Sequence, residues 1–146
     1  MANTKTLTAA NAVILVSVAN LFPVPVQLQG FSADDVTDTE ALETVETMMG
    51  VDGFLSGGFI FAPVRQNYSL QADSDSIAFF EAWYAAMQQS RETFIASGSL
   101  TVSSLQRRYT MSRGFLRSYV PTPSLKRVAQ PRRFAIEWGR ISGSPV

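Results

Sequence analysis

Asp34, Asp35, Asp38 and Glu40 crowd four carboxylates into one short stretch. By type and spacing they are the side chains suited to acid–base work or to a hard cation. A hydrolytic pair needs burial and a set separation, and sequence carries neither. A calcium loop needs Gly at its sixth position and Glu at its twelfth. Counted from Asp34, those positions hold Thr39 and Val45, so the stretch reads as a solvated or channel-facing acidic strand. The 146 residues contain neither Cys nor His. That excludes thiol nucleophiles, zinc sites with Cys or His ligands, and any Ser–His or Cys–His pair. Ser124 and Lys126 form a Ser–Lys dyad on paper only. Gly50, Gly53, Gly57 and Gly58 lack a following Lys-Ser or helix start and read as hairpin punctuation, not a phosphate loop. A carboxylate-dependent hydrolase around residues 34–46 is the weakest reading. The expectation is a protein that is not an enzyme and needs no cofactor and no metal.

Charge gives a stronger signal. Lys+Arg and Asp+Glu are 12 each, and charged residues make up 16% of the chain against about 25% in ordinary soluble domains. A neutral, charge-poor surface favours association. Ten of the twelve bases are Arg. Arg is weakly hydrated and forks its hydrogen bonds, which suits interfaces. Between Gly30 and Asp52 there are seven acids and no base; between Arg107 and Arg140 there are nine bases and one acid, Glu137. A free nucleic-acid binder is normally basic overall. Mutual neutralisation, within a copy or between copies, is therefore the favoured reading of this asymmetry. The alternative is a small nucleic-acid-binding module in the Arg-rich C-terminal third, where Arg107-Arg108-Tyr109 and Arg113-Gly114-Phe115 could stack on single strands.

The elements that must position these groups follow from hydrophobic pattern. Residues 1–146 are the usual size of one domain, with no linker or repeat. The apolar run 12–19 is too short to span a membrane, and a soluble cytoplasmic chain is preferred to a cleaved signal. That run reads as a buried strand. Val24, Val26 and Leu28 alternate with Pro25, Gln27 and Gln29, as in a half-buried strand with Pro on an edge or at its start. Residues 31–37 extend that strand or pair beside it. Residues 39–50 fit a helix capped by Asp38 and stopped by Gly50, but Asp52-Gly53 is a turn dipeptide. A strand over 43–49 entering a hairpin is preferred, with one long returning strand over 58–71. Asp73, Ser74, Asp75 and Ser76 offer caps to a helix whose Ile77, Phe80, Trp83, Tyr84 and Met87 form a core stripe. Strands follow at 94–103, at 108–119 and from Phe134 to about Ile141. The fold expected is mainly β with one helix, a small sandwich or barrel that the helix caps.

Four segments together resemble the tail tube proteins of contractile-tailed bacteriophages: 31–40 (FSADDVTDTE), 46–58 (ETMMGVDGFLSGG), 69–76 (SLQADSDS) with the Phe80 and Trp83 helix, and 130–140 (QPRRFAIEWGR). The type VI secretion tube proteins share that fold. The resemblance implies a barrel-like fold flanked by a helix. It implies homohexameric rings stacked into a hollow tube within the virion, assembled in the host cytoplasm. It also implies tail sheath and baseplate proteins as partners, and phage DNA passing through without specific binding. On that footing inner strands of six copies join into one closed barrel, which removes exposed edges. A channel for DNA must not grip phosphates. Asp34, Asp35, Asp38, Glu40, Glu43 and Glu46 are therefore the candidate lining. Arg107, Arg108, Arg113, Arg117, Arg127, Arg132 and Arg133 are candidates for subunit or ring contacts, and the hairpin at Asp52 and Gly53 for reaching the adjacent ring.

Overall fold

The computed structural model describes residues 12–32 and 36–146. The strands are β1 Ala12–Val18, β2 Phe22–Gln27, β3 Thr37–Thr39, β4 Val45–Met49, β5 Leu55–Phe59, β6 Val64–Leu70, β7 Ala96–Val102, β8 Arg107–Tyr119 and β9 Arg132–Pro145. The helix α1, Ile77–Ser90, lies between β6 and β7. Seven strands pair antiparallel in the order β2-β1-β7-β8-β9-β6-β3, and β4 and β5 make a separate two-stranded sheet. The main sheet does not close on itself, so the architecture is sandwich-like, mainly β with one helix.

The sheet can wrap its core because its long strands bend. In β8 the residues Ser112 and Arg113 together face the single residue Ser97 of β7, and Arg113 takes a positive φ of 52°. Such a bulge bends the strand and raises its twist. It also resets the alternation, so Met111 and Gly114, three apart, are both buried. Trp138 lies over Gly114, where a Cβ would sit 2.4 Å from the indole. Only glycine fits there. The core gathers Ile14, Val16 and Val18 of β1, Tyr68 and Leu70 of β6, Phe134, Ile136 and Trp138 of β9, and Phe79, Phe80 and Trp83 of α1. Gln66 is buried within it. Its Oε1 accepts from Trp138 Nε1 at 3.2 Å and from the Tyr68 hydroxyl. Its Nε2 donates to Thr39 Oγ1 at 3.2 Å, which fastens β3 to the core. Burial pushes the Tyr68 phenol well above its ordinary pKa.

Several elements depart from the sequence reading. The returning strand over 58–71 is two strands in two sheets, broken over residues 60–63, where Pro63 has no N–H to donate. The segment after Gly30 does not join β2: Phe31 bridges to Leu70, and β3 pairs with β6 at the opposite edge of the sheet. Ser76 is the N-terminal cap residue of α1, but its side chain makes no capping hydrogen bond to the first turn. Ser76 Oγ instead accepts the Gln29 N–H at 2.7 Å, and the Ser74 hydroxyl donates to the Gln29 carbonyl. The serines thus pin the helix to the end of β2. In the helix stripe, Ile77, Phe80 and Trp83 are buried and Met87 is half-buried. Tyr84 is 37% exposed and stacks on Tyr119 at 4.3 Å. Phe79, which the stripe skips, is buried against Phe22 at 4.8 Å while Phe80 stacks on Phe134 at 4.4 Å. The first turn of α1 is wedged between two aromatic walls, so adjacent positions both find apolar contact.

Candidate assembly surface

The β4–β5 hairpin stands apart from the core as an arm. Gly50 N–H donates to the Phe54 carbonyl at 2.8 Å and Gly53 N–H to the Gly50 carbonyl at 3.0 Å. Gly53 has a φ of 88°, which glycine adopts without strain. Asp52 Oδ1 accepts the Phe54 N–H at 3.3 Å. This turn fixes the register Val45↔Phe59, Thr47↔Gly57 and Met49↔Leu55, so those six residues share one face. Every residue of both strands is exposed. Met48 is 76% exposed, Phe54 74% and Phe59 70%. A lone two-stranded hairpin is marginal in water, and an apolar surface of this kind marks a docking site.

Apolar clefts lie at the root of the arm. One, of about 630 Å³, is bordered by Leu42, Phe59, Phe61, Val64 and Ile141. Its neighbour, of about 430 Å³, is bordered by Thr39, Leu42, Gln66, Leu100, Tyr109 and Ile141. Among the described residues no group of three or more acidic side chains is placed to hold a metal ion. No helix among them is long and apolar enough to cross a membrane.

Asp34 and Asp35 lie outside the described residues. Asp38 is exposed on β3 and reaches Arg133 Nη2 of β9 at 3.2 Å. Glu40 and Glu43 are exposed in the connection to β4, Glu46 is exposed on β4, and Asp52 and Gly53 are exposed in the turn. Arg107, Arg108, Arg113 and Arg117 are exposed along β8, Arg127 in the connection after it, and Arg133 and Arg140 on β9. Arg117 pairs with Glu137 at 3.5 Å, and Arg113 lies over the Phe115 ring at 5.9 Å. Among the described residues, then, the acidic and basic stretches meet in one ion pair, Asp38–Arg133. Apart from the buried Arg132 and the half-buried Glu137, their other described charges are exposed.

Arg132 requires a correction. It is 4% exposed and serves the interior rather than an interface. Its Nε and Nη2 donate to the Val120 carbonyl at 3.2 and 2.6 Å, Nη2 donates to the Pro121 carbonyl at 3.1 Å, and Nη1 meets Glu81 Oε1 at 2.8 Å. The guanidinium also lies 5.2 Å from the Phe134 ring. It clamps the chain reversal after β8 to β9 and α1. Sequence reasoning also missed the apolar part of the arm, Met48, Phe54, Phe59 and Phe61. Their pattern does not differ from that of a half-buried strand. The available signal was the pairing of Asp52-Gly53 with Gly57-Gly58, which confines the hairpin to short strands.

A family profile described as tail fiber protein gp32 matches residues 5–142. No curated protein matches the chain by sequence. In fold the chain is similar to a chain of the anti-feeding prophage (AFP) cap, the AFP tube terminating cap, with TM-score 0.59, 12% identity and coverage of 100% of this chain and 95% of that one. It is similar to a chain of the AFP baseplate, 6-fold symmetrised, with TM-score 0.57, 12% identity and coverage of 100% and 99%. A chain of the sheath-tube complex of an extracellular contractile injection system, PVC, in the extended state gives TM-score 0.55, 15% identity and coverage of 91% and 88%.

Proposed function

The chain belongs to the tail fiber protein gp32 family, a phage tail-related family, and from that premise we propose that it is a non-enzymatic subunit that joins copies of itself into stacked rings around a channel. The coarser role is that of a structural protein of a tail. The finer reading makes it a tube subunit, six to a ring, with sheath and baseplate proteins around it and DNA passing through. One observation carries the reading: an exposed apolar arm on a chain whose main sheet stays open. A chain built this way is unfinished until a neighbour covers the arm.

In this reading Asp38, Glu40, Glu43 and Glu46, with Asp34 and Asp35 in the same stretch, face the channel, where acidic charge keeps phosphates from sticking. Arg107, Arg108, Arg113, Arg117, Arg127 and Arg133 serve contacts between copies, and the turn at Asp52 and Gly53 reaches the adjacent ring. A subunit that caps the tube is the second reading, favoured by the likeness to the AFP cap. Electron microscopy of the purified chain tests both. Stacked rings or tubes are expected; single rings that never stack favour the cap. A chain that stays monomeric at high concentration overturns the assembly reading.

A further inference from the structure

Sulfur enters this chain only as methionine. There are five Met and no Cys, so no thiol of the chain competes for an oxidant. Met1 lies outside the described residues. Met111 is 1% exposed, and Met87 is half-buried against the core. Met48 and Met49 are 76% and 63% exposed. Oxidation of thioethers follows exposure, so these two adjacent residues are where an oxidant acts first.

Both sit on β4 of the arm, and successive residues of a strand point to opposite faces. Met49 lies opposite Leu55, on the face it shares with Val45 and Phe59; Met48 lies opposite Ser56, on the other face. A neighbour that covers either face of the arm therefore buries one of the two sulfurs. A sulfoxide puts a polar oxygen on what was a flexible apolar side chain, and burying a polar group without a partner opposes docking. The subunit itself is indifferent to the change. Neither residue belongs to the core, and backbone bonds hold the hairpin turn, with Gly50 N–H donating to the Phe54 carbonyl at 2.8 Å.

We infer that Met48 and Met49 are an oxidation switch for assembly: a peroxide that reaches the free subunit converts both thioethers to sulfoxides and blocks docking of the arm without unfolding the chain. Each step transfers one oxygen atom. The sulfur lone pair attacks the peroxide, the O–O bond breaks, the sulfur is oxidised by two electrons, and hydrogen peroxide leaves as water. A dithiol-dependent methionine sulfoxide reductase reverses the step: the oxygen leaves as water and the dithiol becomes a disulfide. In an assembled copy the methionine on the covered face is shielded, so the switch acts on free subunits. This inference rests on the ring-forming reading and adds a chemical control over it.

Dilute hydrogen peroxide, applied to the full chain below its assembly concentration and followed by peptide mass mapping, tests it. Met48 and Met49 are expected to gain one oxygen each about tenfold or more faster than Met111. The urea unfolding curve stays native, while the concentration needed to assemble rises about tenfold or more. Treatment with the reductase and a dithiol restores assembly. In preformed assemblies at least one of the two methionines oxidises more slowly than in the free chain. The double variant Met48→Leu, Met49→Leu keeps the apolar volume and assembles alike before and after peroxide. If that variant does not assemble even without peroxide, rescue of the oxidised native chain by the reductase decides. An oxidised chain that assembles at the native concentration, a Leu variant blocked by peroxide as the native chain is, or Met111 oxidised as fast as Met48 and Met49 overturns the switch and leaves the ring reading standing. A reduced native chain that never assembles overturns the ring reading itself, and the switch with it.

Discussion

A guanidinium held at 4% exposure must have its donors matched, and Arg132 does so with two backbone carbonyls and Glu81. The partners are unequal, since the Glu81 side chain is 51% exposed and remains solvated without Arg132. We expect Arg132→Met to lower the stability of the folded subunit by about 2–4 kcal/mol in urea unfolding, chiefly through the lost charge-assisted hydrogen bonds to the Val120 and Pro121 carbonyls. Glu81→Gln, at a half-exposed pair, is expected to cost under about 1 kcal/mol. If the two substitutions cost the same, the clamp acts through the ion pair and not through the carbonyls. The sequence does not reveal this role. Arg132 and Arg133 are adjacent and identical, and only the inward pleat of β9, which also carries Phe134, Ile136 and Trp138, decides which one is enclosed.

At the scale of elements, alternation reads well where one face is buried and poorly where neither is. β1, β8, β9 and the helix were legible because Val, Ile and aromatic residues recur at the period of each element. Their ends were less so: β9 runs to Pro145, past the last bulky residue, Ile141. The arm was legible as a hairpin through Asp52-Gly53, but not as a separate sheet, since the pattern Val45, Thr47, Met49 is equally that of a covered strand. The bulge at Arg113 left no sequence signal, because a positive φ there usually calls for glycine or Asn. The structure gives the arm no share in the core. Replacing residues 46–58 with a short glycine turn should therefore leave subunit stability within about 1 kcal/mol of native and abolish assembly. Urea unfolding together with sedimentation checks both halves, and a large loss of stability would mean that the arm also holds the subunit together.

For the whole molecule, charge decides between partners. The chain is neutral in sum, yet its basic residues cluster along β8 and β9 and its acids lead into the arm. A nucleic-acid module would exploit the first group; a self-assembling subunit must spend it on neighbours or leave it outside the channel. We expect no retention on a phosphate polymer at about 0.15 M salt, where exposed charges are screened within about 8 Å. Retention at that salt, falling steeply as salt rises, would favour the nucleic-acid reading. The core offers an independent means of following such experiments. Trp83 and Trp138 are both fully buried, and neither belongs to the arm. Intrinsic tryptophan emission should therefore shift to the red when a subunit melts and hold its colour when subunits merely couple. Melting and coupling can then be followed in the same cuvette, one by hue and the other by scattered light, without attaching a dye.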